Sequence, residues 1–184
     1  MKKSFLVLVL IALVAAGAFA QVSLGGSATT NFTATTYPSF DFMYSLEKLD
    51  ILGGANLSLD TATLKVGGYS QSESLNTFGL YGGVAPKVSI PGNWSLSFPV
   101  LANVVFGSKI DEVQGTELKG DIFGIGITGG GRATYSFSKN WSLYTGVLIE
   151  FFTWAKVSYP GSISVTETTF FYTALAQLGF FYTF

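Results

Sequence analysis

From residue 21 to the last residue, apolar and polar side chains alternate along most of the chain. A period of two marks strands with two unlike faces. The final segment shows it: Ala176, Leu178, Phe180, Tyr182 and Phe184 share one face, and Gln177, Gly179 and Thr183 the other, with Phe181 among them. The same alternation puts Trp94, Leu96, Phe98, Val100, Ala102, Val104 and Phe106 on one side of a strand, and Trp141, Leu143, Val147, Ile149 and Phe151 on one side of another. None of these faces carries a charge, and their aromatics gather towards the strand ends.

Breaks in the pattern fix the connections. Pro91-Gly92-Asn93 and Ser138-Lys139-Asn140 are tight turns that both run into Asn-Trp-Ser-Leu, 47 residues apart. A looser version without the Trp spans 57–64, with its turn at Asp60-Thr61. Short turns between alternating segments are hairpins. Longer, more polar connections are expected at 35–48, 70–75, 107–120 and 155–168. The strands between them fall at 22–34, 49–59, 62–69, 76–90, 94–106, 121–137, 141–154 and 169–184. The fold class expected is all-β: a transmembrane, antiparallel, up-and-down β-barrel of eight strands. Short turns at one end and long loops at the other suit that layout, as do uncharged faces flanked by aromatic girdles. A closed barrel also pairs every backbone group in a medium without water.

The opposite faces are polar and rich in glycine. They hold Asn56, Tyr81, Asn103, Thr128, Tyr144 and Gln177, and four charges that point into the lumen: Lys65, Lys87, Arg132 and Glu150. The first three each lie a few residues from a short turn and are expected to share that third of the barrel, with Glu150 further along. An eight-stranded barrel has an interior just wide enough for side chains. The charges therefore form either a paired polar plug or a selectivity ring in a narrow pore. Leu101, Val105, Leu148, Phe152 and Leu175 are expected inward as packing.

The first twenty residues read differently. Lys2 and Lys3 precede an apolar run from Phe5 to Ala16, and Ala18-Phe19-Ala20 is a small-x-small cleavage site. That is the pattern of a secretory signal peptide over 1–20, leaving one β-barrel domain at 21–184. Gln21, rather than a cysteine, follows the cleavage point, so no lipid anchor is expected. After Ala20 no apolar run is long enough for a spanning helix.

Composition narrows the chemistry. The 184 residues are 48% hydrophobic and 16% aromatic but 11% charged, against about 25% charged in ordinary soluble domains. Much of the surface is therefore expected to meet something other than water. His and Cys are absent, which removes the usual general base, the thiol nucleophile and the commonest metal ligands. No catalytic residue, metal site or cofactor is expected. A net charge of -1 gives no sign of a nucleic-acid partner. The acidic cluster Asp111, Glu112, Glu117 and Asp121, mixed with Lys109 and Lys119, suits a solvated loop. Phe40, Phe42, Met43 and Tyr44 make the first long connection unusually apolar, as an extension of the outer girdle or as a contact patch.

At its C-terminus the chain resembles the small eight-stranded outer-membrane barrels of the OmpA/OmpX and OmpW kinds. The alternating face that ends in Phe180, Tyr182 and Phe184 is similar to the signature by which the barrel-assembly machinery recognises its clients. The resemblance implies insertion into the outer membrane by that machinery, long loops outside the cell and short turns in the periplasm. It also implies a structural or surface-displayed role, in adhesion or envelope integrity. A narrow conduit for small or apolar solutes is the alternative. A secreted soluble barrel with an apolar ligand inside is a third reading, and requires the two faces to be exchanged by a one-residue register shift.

Overall fold

The computed structural model describes residues 21–31, 36–66, 69–113, 116–161, 163–170 and 173–184. The expected signal peptide lies outside them. Ten strand segments follow in order: β1 (Gln21–Asn31), β2 (Thr36–Ser45), β3 (Leu49–Val66), β4 (Tyr69–Ile90), β5 (Trp94–Ser97), β6 (Val100–Val113), β7 (Thr116–Ser136), β8 (Trp141–Tyr159), β9 (Ile163–Phe170) and β10 (Ala174–Thr183). Each pairs antiparallel with its neighbours. Two pairs of segments are single strands with an interruption. β5 and β6 lie end to end between β4 and β7, and β9 and β10 do so along β8. The ring closes where β1 pairs with β10, from Ser23 opposite Thr183 to Asn31 opposite Leu175. The result is an eight-stranded barrel.

The break between β5 and β6 falls at Phe98-Pro99. Proline has no N–H for the ladder, so the strand steps aside there. Two backbone bonds bridge the step, from Phe98 N to Pro86 O at 2.9 Å and from Gly130 N to Pro99 O at 3.0 Å.

Three expectations about the connections are corrected. Residues 36–45 are a strand, not part of a long loop. Thr36, Pro38, Phe40, Phe42 and Tyr44 alternate with Tyr37, Ser39, Asp41, Met43 and Ser45, which is the same period of two in a segment rich in aromatics. The true turn is at 46–48, closed by Leu46 N to Leu49 O at 2.8 Å. Secondly, β3 runs through Asp60-Thr61 without turning. That dipeptide lacks the glycine or asparagine that a tight hairpin needs, and its alternation continues. The missed strand and the false turn offset each other, so the count of eight stands. Thirdly, the expected connections at 70–75, 107–120 and 155–168 are mostly strand. β4, β6, β7 and β8 continue upward in paired ladders, which satisfies the backbone groups of the described residues there.

The turns at 46–48, 91–93 and 137–140 lie at one end of the barrel with Gln21 and Phe184. At Pro91-Gly92-Asn93, Gly92 and Asn93 take φ of 88° and 67°, the left-handed region that these two residue types tolerate. At the other end the hairpins rise unequally. β1 and β2 stop at Asn31 and Thr36, whereas β3 reaches Val66 and β8 reaches Tyr159.

Candidate functional site

The uncharged faces point outward. Phe98 is 51% exposed, Leu143 50% and Leu178 62%, and Val84, Val100, Ile127, Val147 and Ile149 are exposed beside them. At the turn end, Trp94 packs on Tyr135 with ring centroids 4.9 Å apart, and Trp141 on Tyr182 at 5.0 Å. At the other end, Phe106, Phe123 and Trp154 form a row at 5.5 and 6.0 Å. From Trp94 to Phe106 is twelve residues; at about 3.3 Å each and a tilt of about 40°, the girdles stand roughly 30 Å apart. That is close to the height of an outer-membrane apolar band. The first outward charges, Lys156 and Asp121, appear level with or beyond the upper girdle, since Lys156 pairs with Phe123. The outward direction of these faces excludes the exchanged register of a soluble barrel. Phe40 and Phe42 are outward wall residues and Met43 is turned inward towards Arg132, so they form no loop patch.

Inside, polar and apolar side chains fill the turn-side half. Asp50 on β3 binds Lys87 on β4 through Nζ at 2.8 Å and Arg132 on β7 through Nη2 at 3.6 Å. Ser45 donates to Asp50 at 2.5 Å, and Lys87 reaches Ser45 as well. Arg132 also donates through Nε to Ser97 at 3.2 Å, and its guanidinium lies 5.1 Å from the centroid of Tyr144 and 5.6 Å from that of Phe181. Tyr144 stacks on Phe181 at 4.9 Å. Asp41 on β2 accepts from the hydroxyls of Tyr81 and Tyr144, the latter at 2.7 Å, and from Ser39 at 3.3 Å. Both aspartates, Arg132 and Tyr144 are buried.

Glycine makes the crowding possible. A Cβ on Gly54 or Gly179 would overlap the ring of Tyr81 or Tyr144, so each tyrosine lies flat over a glycine of the next strand. Among these groups Leu52, Ala85, Leu101 and Leu148 form an apolar layer, with Met43, Tyr81 and Leu175 packed against it; Ala85 lies opposite Asp50, and Leu52 lies one inward step above Asp50. A void of about 20 Å³ remains among Asp41, Tyr81, Arg132, Tyr144 and Phe181, room for about one water.

Of the four expected lumen charges, Lys87 and Arg132 meet at Asp50. Glu150 sits higher on β8, facing Thr128. Lys65 does not join them. With no turn at Asp60-Thr61, β3 carries the backbone of Lys65 to the opposite end, where it pairs with Ser70. Phe152, expected inward, pairs instead with the outward Ile127, because a bulge opposite Ile127-Thr128 shifts the register of β8 by one residue. Asp41 and Asp50 are the partners that sequence reasoning missed. A signal existed for each: the alternation that turns Gly54 and Asn56 inward also turns Asp50 inward, and Asp41 stands between two outward phenylalanines.

The expected solvated cluster lies on the projecting hairpins. Lys109 bridges Glu73 at 3.2 Å and Asp111 at 3.3 Å, Tyr159 donates to Asp111 at 2.5 Å, and Ser72 donates to Glu112 at 3.1 Å. Burial alone would lower the Lys109 ammonium, but the hydrogen bond and charge of Glu73, with Asp111, raise it above its ordinary value. Burial and the bond to Asp111 raise the Tyr159 phenol. Among the described residues, no group of three or more acidic side chains is placed to hold a metal ion.

Phe180, Tyr182 and Phe184 lie on the outward face of β10. Tyr182 packs edge-on against Phe184 at 5.1 Å, and Phe180 lies 6.0 Å from Trp141. The terminal residue is tied in by Phe184 N to Val22 O at 3.0 Å.

No family model matches the sequence, and no curated protein matches it. Solved structures do. The chain is similar to a major outer membrane protein from Thermus thermophilus, with a TM-score of 0.61 and 15% identity, over 90% of this chain and 99% of that one. It is also similar to the N-terminal β-barrel domain of Pseudomonas aeruginosa OprF, with a TM-score of 0.53 and 13% identity, over 89% of this chain and 97% of that one. At such identities the likeness is one of fold, and it agrees with the ring of strands described above: the chain has the eight-stranded barrel fold of small outer-membrane proteins.

Proposed function

We propose that this chain is an integral outer-membrane barrel that serves as a structural, surface-displaying scaffold and catalyses no reaction. One observation carries the reading. Between two aromatic girdles every strand turns an uncharged face outward, while the aspartates, Lys87 and Arg132 turn in. Hydrocarbon is the solvent that suits such a surface. The filled turn-side half favours a scaffold over a conduit, since the space among Asp41, Arg132, Tyr144 and Phe181 holds about one water. The hairpins beyond the upper girdle are the parts offered to a surface partner.

The same reading gives the chain ends their roles. Residues 1–20 direct export and are removed after Ala20. Phe180, Tyr182 and Phe184, outward on the closing strand, are the assembly signal taken up by the barrel-assembly machinery. Cell fractionation with heat-modifiable gel migration tests the proposal. The expected result is an outer-membrane protein whose unboiled form migrates faster than its boiled form and whose planar-bilayer recordings stay silent. A periplasmic protein without a heat shift overturns the membrane reading, and steady unitary conductance overturns the sealed lumen.

A further inference from the structure

Between the girdles the inward charges of the described residues do not balance. Asp41 and Asp50 are matched by Lys87 and Arg132, and each acid is held by hydrogen bonds or ion pairs. Glu150 is the remainder. It is half-buried on the lumen side of β8, and among the described residues it makes no ion pair and no side-chain hydrogen bond. An ionised carboxylate in such a place is costly unless a counter-charge joins it.

Its neighbours supply oxygen. Thr128 on β7 is its cross-strand partner, and Thr128 in turn donates to the Oδ1 of Asn103 on β6 at 3.3 Å. On the other side Glu150 N bonds to Thr173 O at 3.0 Å. Thr128, Glu150 and Thr173 therefore form one row across adjacent strands about 4.8 Å apart, with Leu101 as the partner of Thr128 on β6 and Asn103 one inward step above Leu101. Leu101 flanks the row and Leu148 lies one inward step below Glu150, so the apolar layer borders it. Asn103 lies back over Gly126, against the wall. Beside the row the rim is low, because β1 and β2 end at Asn31 and Thr36 while the hairpins opposite continue.

We infer that this row is a binding seat for a monovalent cation, an alkali ion or a primary ammonium group, held by the Glu150 carboxylate and the oxygens of Thr128 and its neighbours. One carboxylate among neutral oxygens suits a single charge. Divalent sites recruit more acid ligands, and none are grouped here among the described residues. The seat needs the lumen alone and does not depend on the membrane assignment.

The test uses the folded barrel in detergent micelles at pH 7, in sodium-free buffer, with carboxyl-labelled glutamate observed by carbon NMR. The Glu150 signal is the one lost in Glu150→Gln. It is expected to be that of an ionised carboxylate and to shift saturably with thallium(I), an alkali-ion probe, or with methylammonium. The probe that saturates at the lower concentration identifies the class. Thr128→Val is expected to weaken saturation about tenfold or more with the gel heat shift unchanged. A Glu150 signal that is protonated at pH 7, or that moves only linearly as the exposed Glu167 does, overturns the inference, as does unchanged affinity in Thr128→Val. Failure of the heat shift in the unaltered chain would instead count against the scaffold reading.

Discussion

Tyr144 donates its hydroxyl to Asp41 at 2.7 Å although β10 and β1 stand between their strands along the wall. The bond therefore spans the lumen and ties opposed parts of the barrel directly. Asp41 takes Tyr81 as well, so one carboxylate gathers three strands. Replacing it leaves two buried hydroxyls without their acceptor. Asp41→Ala is expected to cost about 1–3 kcal/mol for each stranded group, read as a lower urea midpoint of the folded gel band. A midpoint unchanged from the parent chain would show that water replaces the aspartate at no cost.

Asp50 has a heavier task, because two cations converge on it. Asp50→Ala leaves Lys87 and Arg132 buried together without an anion. Breaking a buried pair in this way costs about 3–5 kcal/mol. The same variant is expected to turn a silent barrel into one with measurable conductance in planar bilayers, since mutual repulsion drives the two side chains apart.

Position on the outward wall sets the cost of a charge. Ile149 lies midway between the girdles, opposite Gly129, and Trp141 lies in the lower girdle. Ile149→Arg is expected to destabilise the folded barrel in lipid by about 2–4 kcal/mol and Trp141→Arg by about 0–1 kcal/mol from its charge, beyond the loss of ring packing. Equilibrium unfolding in liposomes measures both. Equal penalties would argue against a depth-dependent apolar environment.

The projecting hairpins should respond to alkali. Lys109 and Tyr159 both have raised folded values. A raised value means the protonated form is favoured by folding, so the stabilisation is complete below the ordinary values of 10.5 for Lys109 and 10.0 for Tyr159 and is lost as pH rises through the folded ones. Hydrogen exchange in β6 and β8 beyond the upper girdle is expected to quicken above pH 10 more than chemical exchange alone requires. Lys109→Met should remove part of that excess. No excess in the parent chain would contradict the brace.

Much of this architecture is legible from alternation alone. The outward faces of β5, β6 and β10 and the short turns at Asn93 and Asn140 follow from a period of two and a few turn residues. Other features depend on partners distant in sequence. A bulge in β8 is set by its pairing with β7, so nothing local warns that Phe152 changes face. Asp41 looked like a loop residue because Phe40, Phe42 and Tyr44 made an apolar cluster, although the polar residues between them keep the beat. The false turn at Asp60-Thr61 alters the backbone position of every later residue of β3, Lys65 included, from one end of the barrel to the other.

The chain has no cysteine, so single cysteines can be introduced along β8 and spin-labelled without background. Labels at Leu143→Cys, Val147→Cys and Ile149→Cys in lipid-reconstituted barrel should be accessible to dissolved oxygen and shielded from a water-soluble nickel chelate, while Ser142→Cys and Leu148→Cys should not share that oxygen exposure. The reverse alternation, or chelate access at Leu143, Val147 and Ile149, would contradict a hydrocarbon-facing wall.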